Sequence, residues 1–310
     1  MLPTPDLSIV IVAHNGEDRV VRTVESALKE ADGLEFEMLV VDNGSTDGTA
    51  AAIERLGRPV EVLRNANTGF AAGTNLALSR AHGRYALLLN PDVDFKLGSL
   101  PEFVDALDHR PEVGAASVIQ HSPAGDLLHT INHFPSPLRD MGEALFVHRL
   151  GAAMRFQQAV TDPFEYTRER PADWLVGSFL MVRREAIEEI GPLDERFFLY
   201  SEETDWCLRL RRGGWDVRHL PVMTVVHHEG GYDRPDLAAQ LSHSKILFAE
   251  KHFSRLGTAT TRLTLALRHG LRVVLSTVPA LLHRRFRTRL ACEVRALAVV
   301  LRLAPPPFRR

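Results

Sequence analysis

The sequence predicts an α/β fold, with a mostly parallel central sheet and helices on both faces. Three observations lead there. Apolar runs rich in Val, Ile and Leu recur at residues 7–13, 36–41, 60–63 and 85–89, the pattern of strands buried on both sides. Helical spacing separates them, as at Val20, Val24, Ala27 and Leu28. Polar turn clusters, Asp42-Asn43-Gly44-Ser45 and Asn90-Pro91-Asp92, follow the second and fourth runs. Repeated strand–helix–strand units of this kind build a parallel sheet.

Taken in order, residues 7–13 read as a strand, 17–31 as a helix and 36–41 as a strand. Ser45 or Thr46 caps a helix running to residue 56; a strand at 60–63, a helix at 70–81 and a strand at 85–89 follow. A helix at 98–108 and a strand at 113–119 come next. The stretch 121–170, with Pro123, Pro135, Pro137 and Pro163, has no readable period and is expected to be a long loop or lid. Regular structure resumes at 174–182, with helices at 184–190 and 202–212 and short strands at 217–220 and 223–226. A composition shift near Asp236 separates a domain over 1–235 from a helical, basic tail over 236–310.

Composition narrows the function. The chain has 310 residues, 45% hydrophobic and 25% charged, which is ordinary for a globular protein. A net charge of −2 argues against nucleic acid as partner. Cys207 and Cys292 form neither a disulfide framework nor a metal spacing, which fits a reducing cytosol. The first residues lack the basic and apolar regions of a signal peptide, and no uninterrupted run of about 18 apolar residues predicts a spanning helix. From Lys251 onward the charge is almost all positive, from Arg255 through Arg310, with Glu293 as the lone acid. Leucines and valines interleave with the arginines, a pattern shared by interfacial membrane anchors and by helix pairs with a solvated basic face.

The most informative segment is Tyr-Ala-Leu-Leu-Leu-Asn-Pro-Asp-Val-Asp at 85–94. An apolar strand ends at two carboxylates, and ligands of α/β sheets bind outside the carboxyl ends of the strands. Hard oxygen donors at such a place suit Mg²⁺ or Mn²⁺ together with a substrate phosphate. Spacing alone points to Asp92 and Asp94 alike; a capping Asp before the next helix is the plain alternative. Asp42 and Asn43 end another strand and suit a base or ribose, or simply an Asx turn. Residues 67–75 hold Gly69 and Gly73 around a helix start, where backbone amides favour phosphate. The spacing is neither that of a P-loop nor that of a dinucleotide fingerprint. Glu202, Glu203 and Asp205 open a helix just after Phe197, Phe198 and Tyr200. Acids suit a helix start, but aromatic walls would also raise a carboxyl pKa, which a general base can use. His227 and His228 end a strand and point to opposite faces, so one of them reaches a given metal.

Together these strings resemble the family 2 glycosyltransferases, and within them the rhamnosyltransferase-like bacterial branch. The matching segments run in order from residue 7 to about 232: 8–15, 40–47, 67–75, 88–92, 197–209 with Gly214-Trp215, and 228–231. The resemblance implies a nucleotide-sugar-binding fold of the GT-A type and a metal-dependent, inverting sugar transfer. It divides the domain into a donor half, about 1–120, and an acceptor half, about 121–235. On the donor side it implies Ala13, Asn15, Asp42, Asn43, Asn67, Gly69, Phe70, Gly73, Asn75, Asn90 and Pro91. Trp174, Gly177 and Ser178 match the stretch that faces the acceptor. Asp92 is the metal-motif carboxylate, with His228 as second ligand; Asp94 fits a literal Asp-x-Asp reading but falls to the role of helix cap. The base is Glu203, with Glu202 as second choice and Asp205 behind it, because the branch has Asp where this chain has Glu203. Tyr232 stands where the branch often has Ser.

The implied partners are a nucleotide-sugar donor, foremost dTDP-rhamnose, and a lipid-linked or polysaccharide acceptor. An anionic membrane surface would meet the tail, placing the protein at the cytoplasmic face of the cell membrane. Other donors, a UDP-sugar or a furanose donor, suit the same fold. A catalytically silent sugar-nucleotide or glycan-binding protein is the competing reading from another class.

Overall fold

The computed structural model describes residues 4–57, 59–145, 157–228 and 234–308, without the side chain of Arg285. The chain begins β1 (Leu7–Ala13), α1 (Glu17–Glu30), β2 (Phe36–Asn43), α2 (Thr49–Leu56), β3 (Val60–Asn65), α3 (Phe70–Leu78) and β4 (Tyr85–Leu89). It continues with β5 (Val93–Leu97), α4 (Leu100–Asp108), β6 (Val113–His121), β7 (Ile131–Asn132), α5 (Pro137–Ala144), β8 (Arg170–Pro171) and β9 (Trp174–Leu175). Then come β10 (Phe179–Arg183), α6 (Arg184–Ile190), α7 (Glu202–Arg212), β11 (Asp216–His227), α8 (Pro235–His252), α9 (Arg255–Leu282) and α10 (Arg284–Val300).

The chain divides into two units. The first comprises 1–132, 159–195 and 202–229; the second comprises 133–158, 196–201 and 230–310. In the first unit the main sheet has the order β3-β2-β1-β4-β10-β6-β11-β5, with β8 paired to β11. β3, β2, β1 and β4 are parallel, while β10 runs antiparallel between β4 and β6. Leu7, Ile9 and Ile11, two residues apart, lie on one face of β1 in a core with Val20 and Val24 of α1 and Phe103 and Leu107 of α4. The opposite face carries α3, which approaches closely at Gly73: a Cβ there would stand 3.0 Å from Val12 Cγ1 and press on it. Both faces of the sheet are thus covered, as continuous apolar strands demand. The second unit is helical, with α9 packed against α10 and α5, and Ile246, Leu265 and Val300 forming a small apolar cluster.

Several local expectations are corrected. Neither Ser45 nor Thr46 caps α2: the Ser45 hydroxyl accepts from the Asn15 amide, and the Thr46 amide donates to Asn15 Oδ1. The helix starts later, at Thr49, whose amide donates to Asp47 Oδ1. Asp94 is not a helix cap; it lies in β5, paired with β11. Ser99 caps α4 in a capping box, accepting from the Glu102 amide while Glu102 Oε2 accepts from the Ser99 amide. The strands expected at 217–220 and 223–226 are one strand, β11, whose ladder shifts register between His219 and Thr224, where Pro221 offers no N–H. The stretch expected to be a loop contains β7, α5 and β8.

The capping box has a direct test. Ser99→Ala should lower stability by about 1 kcal/mol, read from the midpoint of a urea unfolding curve. Asp94→Ala should cost nothing through α4.

Candidate functional site

Parallel pairing aligns the carboxyl ends of β1, β2 and β3. Ala13 at the end of β1 sits opposite Asp42 in β2, and Asp42 and Asn43 sit opposite Arg64 and Asn65 in β3. Asp42 is buried; its Oδ2 accepts from Arg64 at 3.1 Å and its Oδ1 from the Ser45 amide at 3.2 Å. Asn43 is buried too, donating from Nδ2 to Gly69 O at 3.2 Å and to Asn67 Oδ1 at 3.3 Å, while its Oδ1 accepts from Asn65. His14 Nδ1 donates to the Asn43 carbonyl at 3.0 Å. Gly44 has φ +73°, and a Cβ there would come within 2.7 Å of the Asn67 amide nitrogen. Asn15 holds a left-handed backbone, φ 51°, and accepts from the Thr46 amide. Gly69 precedes α3, with Phe70 its first residue. Asn75 is occupied elsewhere: it bonds to the Leu193 backbone in both directions and donates to Glu195 Oε1. The result is a polar shelf of Asn15, Asp42, Asn43 and Asn67, with His14, not singled out from sequence, bonded beside it.

The turn after β4 is pinned from two sides. The Asn90 amide donates to Ser178 O at 2.9 Å, and the His228 amide donates to Asp92 O at 2.8 Å. Asp92 in this turn and Asp94 in β5 each meet one imidazole. His227 Nε2 lies 3.2 Å from Asp92 Oδ1 and 3.3 Å from Asn90 Nδ2; His228 Nε2 lies 2.7 Å from Asp94 Oδ2. Of the two adjacent histidines it is His227 that meets Asp92. The residues alone leave His227 and His228 open, and the resemblance chooses His228 because its matching string begins there. Glu229, Gly230 and Gly231 of that string, and Tyr232, lie outside the described residues.

Among the described residues no three His, Cys, Asp or Glu side chains gather into a metal cluster. Two carboxylates, each oriented by an imidazole, are nonetheless what a Mg²⁺-type ion uses, since it takes one or two carboxylates and completes its shell with substrate phosphate and water.

The acidic group stands on α7. Trp206 Nε1 donates to Gly191 O, and Arg209 donates to Ile190 O and Pro192 O, which anchors the helix to the loop after α6. Asp205 is fully buried and its Oδ2 accepts from Arg209 at 2.9 Å, so its role is to hold α7. Glu202 and Glu203 differ: each has a sealed Oε2 with no hydrogen-bond partner. Burial raises the Glu203 carboxyl to about 7. Burial, and then the Glu203 charge, drive Glu202 well above the ordinary carboxylate range. A Cβ at Gly177 would stand 3.4 Å from Glu203 Cβ, so that glycine leaves the space beside Glu203 open. Ser178 is buried, donating from its hydroxyl to Gln120 Oε1 at 2.7 Å. Trp174 lies in β9, paired with Asn132 of β7. Asn90, Ser178, Gly177 and Glu203 therefore form one chain of neighbours linking the Asn-Pro-Asp turn to the acidic helix. Tyr200 and Ser201, just before α7, hold φ of 69° and 67°, a conformation that costs of order 1–3 kcal/mol per non-glycine residue and clusters at functional sites. The aromatic wall expected at Phe197 and Phe198 belongs to the second unit, where Phe198 stacks on Phe308 at 5.2 Å.

Comparison with known proteins meets this geometry. A model of glycosyl transferase family 2 matches residues 8–191. The N-acetylglucosaminyl-diphospho-decaprenol L-rhamnosyltransferase of Mycobacterium tuberculosis is 30% identical over 268 residues, 80% of this chain and 86% of that protein. The rhamnosyltransferase WbbL of Escherichia coli is 22% identical over 228 residues, 71% of this chain and 82% of that one. The mannosyltransferase PcManGT from Pyrobaculum calidifontis, solved in complex with GDP-Man and Mn²⁺, superposes with a TM-score of 0.57 at 17% identity, over 97% of this chain and 87% of that one. Its likeness shows that the mixed sheet is a GT-A-type fold. Since the family model spans more than half of the chain and a relative matches most of both lengths, the chain belongs to glycosyl transferase family 2 and is a glycosyltransferase.

Proposed function

We propose that the protein transfers a sugar with inversion, foremost rhamnose from dTDP-rhamnose, to a hydroxyl of a lipid-linked acceptor at the cytoplasmic face of the cell membrane. The observation that carries the reading is the neighbour chain Asn90–Ser178–Gly177–Glu203, which sets a carboxyl with raised pKa beside the turn at the end of β4. The relative that is 30% identical acts on N-acetylglucosaminyl-diphospho-decaprenol, a lipid-linked sugar, which supports an acceptor of that class. A silent binding protein would have no use for two carboxyl oxygens sealed without partners, each costing about 1–3 kcal/mol.

In this mechanism the shelf of Asn15, Asp42, Asn43 and Asn67 holds the base and ribose of the donor. Asp92, oriented by His227, is the carboxylate that would hold Mg²⁺ or Mn²⁺, with Asp94 and His228 beside it. The bound ion supplies charge neutralisation to the leaving nucleoside diphosphate. Glu203, as carboxylate, takes the proton of the acceptor hydroxyl. The oxygen then bonds to the anomeric carbon from the face opposite the diphosphate, and the bond to the diphosphate breaks. Glu202, held protonated, lets its neighbour carry the single negative charge of the pair.

Such a base contributes roughly 10²–10⁴-fold. Glu203→Gln should lower turnover by that factor while donor affinity, measured by calorimetry, changes little; unchanged turnover would remove Glu203 from the role. Asp92→Ala should abolish the Mn²⁺-dependent part of donor binding, and wild-type affinity in the presence of Mn²⁺ would refute that assignment. The donor is read from a thermal shift panel of dTDP-, UDP- and GDP-sugars, since only a ligand of the folded state raises its stability.

The pH dependence has a fixed sign. Glu203 works as the carboxylate, so turnover should rise with pH through about 7. Its folded pKa lies above the ordinary 4.5, so the folded state binds the extra proton between those values. Stability should therefore fall, relative to Glu203→Gln, as pH rises from about 4.5 to about 7. Parallel stability curves for the two proteins would overturn the reading of a buried, shifted carboxyl.

A further inference from the structure

The polarity of α9 is reversed. Leu263, Leu267, Leu271, Val274, Val278 and Leu281 follow i, i+4 and i+3 spacing, so they form one stripe. That stripe faces outward: the six side chains are between 39% (Leu271) and 73% (Leu281) exposed. Charged residues are missing from it. Between Leu256 and Leu282 the charged side chains are Arg262, Arg268 and Arg272, with His269, and all of them turn into the helical unit. Arg262 pairs with Glu250 at 2.8 Å, Arg268 with Glu143 at 3.5 Å and Arg272 with Glu293 at 3.3 Å. His269 is buried between Glu293, at 2.6 Å, and the Ser242 hydroxyl, at 3.0 Å. In water a helix does the opposite, packing its apolar stripe and solvating its charges. A contiguous exposed apolar face of this length marks a surface that something else covers.

We infer that this face of α9 lies in the apolar boundary of an anionic lipid monolayer, with the helix parallel to the membrane plane. The inference deepens the proposed function and rests on it only for the reason a lipid surface is needed, namely a lipid-linked acceptor. Lipid is favoured as occupant by the charge that follows the stripe. Arg284, Arg287 and Arg289, just past the end of α9, are exposed and stand where lipid phosphates would lie. The helix is long and apolar enough to cross a membrane, with 28 residues and a mean hydropathy of 1.3 over its best window. The sequence rule of an uninterrupted apolar run misses it because three arginines break the run. Those arginines also decide between crossing and lying flat. A spanning α9 would carry Arg262, Arg268, Arg272 and the Ser242–His269–Glu293 group into hydrocarbon, where ionisable groups are costly. A helix lying flat immerses only the stripe, which bears none of them.

The test is flotation of the full chain with vesicles of phosphatidylcholine plus phosphatidylglycerol, and with phosphatidylcholine alone. Because the contact is mainly apolar, wild type should float with both, more strongly with the anionic mixture, and should stay bound in molar salt, where charge attraction is screened beyond about 3 Å. The combined variant Leu267→Glu, Val274→Glu and Val278→Glu should bind about 10²-fold more weakly or worse. Glutamate is a good helix former at exposed positions, so circular dichroism and hydrolysis of the sugar donor should match wild type. This separates the inference from the catalytic proposal: losing flotation does not touch donor hydrolysis, and Glu203→Gln does not touch flotation. Arg284→Ala with Arg287→Ala and Arg289→Ala should remove only the preference for anionic vesicles. Wild-type flotation of the glutamate variant would overturn the inference, as would complete release of wild type by salt. A third contrary result is a wild-type dimer that ignores vesicles and that the glutamate variant turns into a monomer; a second copy of the chain would then be the occupant.

Discussion

The antiparallel insertion of β10 beside β4 is the constraint on which the site depends. Parallel strands bring only their own carboxyl ends to the ligand edge, which here delivers Ala13, Asp42, Asn43 and Asn90. A strand of opposite direction delivers its amino end to that edge instead. Phe179 pairs with Leu89, so Gly177 and Ser178, just before β10, arrive at the Asn90 turn, where Ser178 O accepts from the Asn90 amide. Without the reversal the edge would have a polar shelf and no route to α7. With it, Gly177 stands against Glu203 and one short run of backbone joins both halves of the chemistry. The hydroxyl of Ser178, bonded to Gln120 of β6, ties the same junction to the next strand.

Energy is spent at that junction and regained around it. Glu202 and Glu203 each carry a sealed oxygen without a partner, and the backbone enters α7 through two consecutive left-handed, non-glycine residues. Both features are unfavourable on their own. The compensation is close by, in the fully buried Trp206, in Arg209 bonded to three carbonyls and to Asp205, and in a helix start whose dipole favours acids. Asp205 and Glu203 thus divide labour within one turn. The one with an arginine partner holds the helix, and the one without has a carboxyl whose proton affinity burial raises.

Much of this was legible in the sequence, for definite reasons. Apolar runs buried on both faces identify β1, β2 and β4, and the polar residues that end them identify the ligand edge, because hydrophobic burial is the dominant local signal there. What was not legible depends on long-range pairing. β5 receives no element from the sequence, because Val93–Leu97 is short and directly follows a turn, and it becomes a strand against β11. For the same reason Asp94 reads as a cap, although Ser99 and Glu102 supply the true capping box. β11 reads as two strands because Pro221 interrupts its ladder but not its path. The pairing of Asp92 with His227 and of Asp94 with His228 spans more than 130 residues in each case, and no local pattern distinguishes the two imidazoles. Asn75 matches the donor-side string yet bonds to Leu193 and Glu195, a contact that spacing cannot foresee.

The tail shows how the charge pattern of a sequence and the surface of the folded unit can differ. Read as sequence, its arginines imply a basic face attracted to anionic lipid. In the folded unit Arg262, Arg268 and Arg272 are each paired with a glutamate of that unit, so their charges are largely compensated. The outward surface of α9 is leucine and valine. Attraction through charge falls steeply with salt, whereas apolar burial does not, and the two forces also select different lipids. A glycosyltransferase whose acceptor is held in a membrane by a polyisoprenoid chain would gain from the second kind of contact. It would keep the enzyme on the plane where the acceptor headgroup emerges, whatever the local ionic strength. The inward ion pairs then serve the helical unit itself, fixing how α9 is rotated against α5, α8 and α10 and so which of its faces is turned outward.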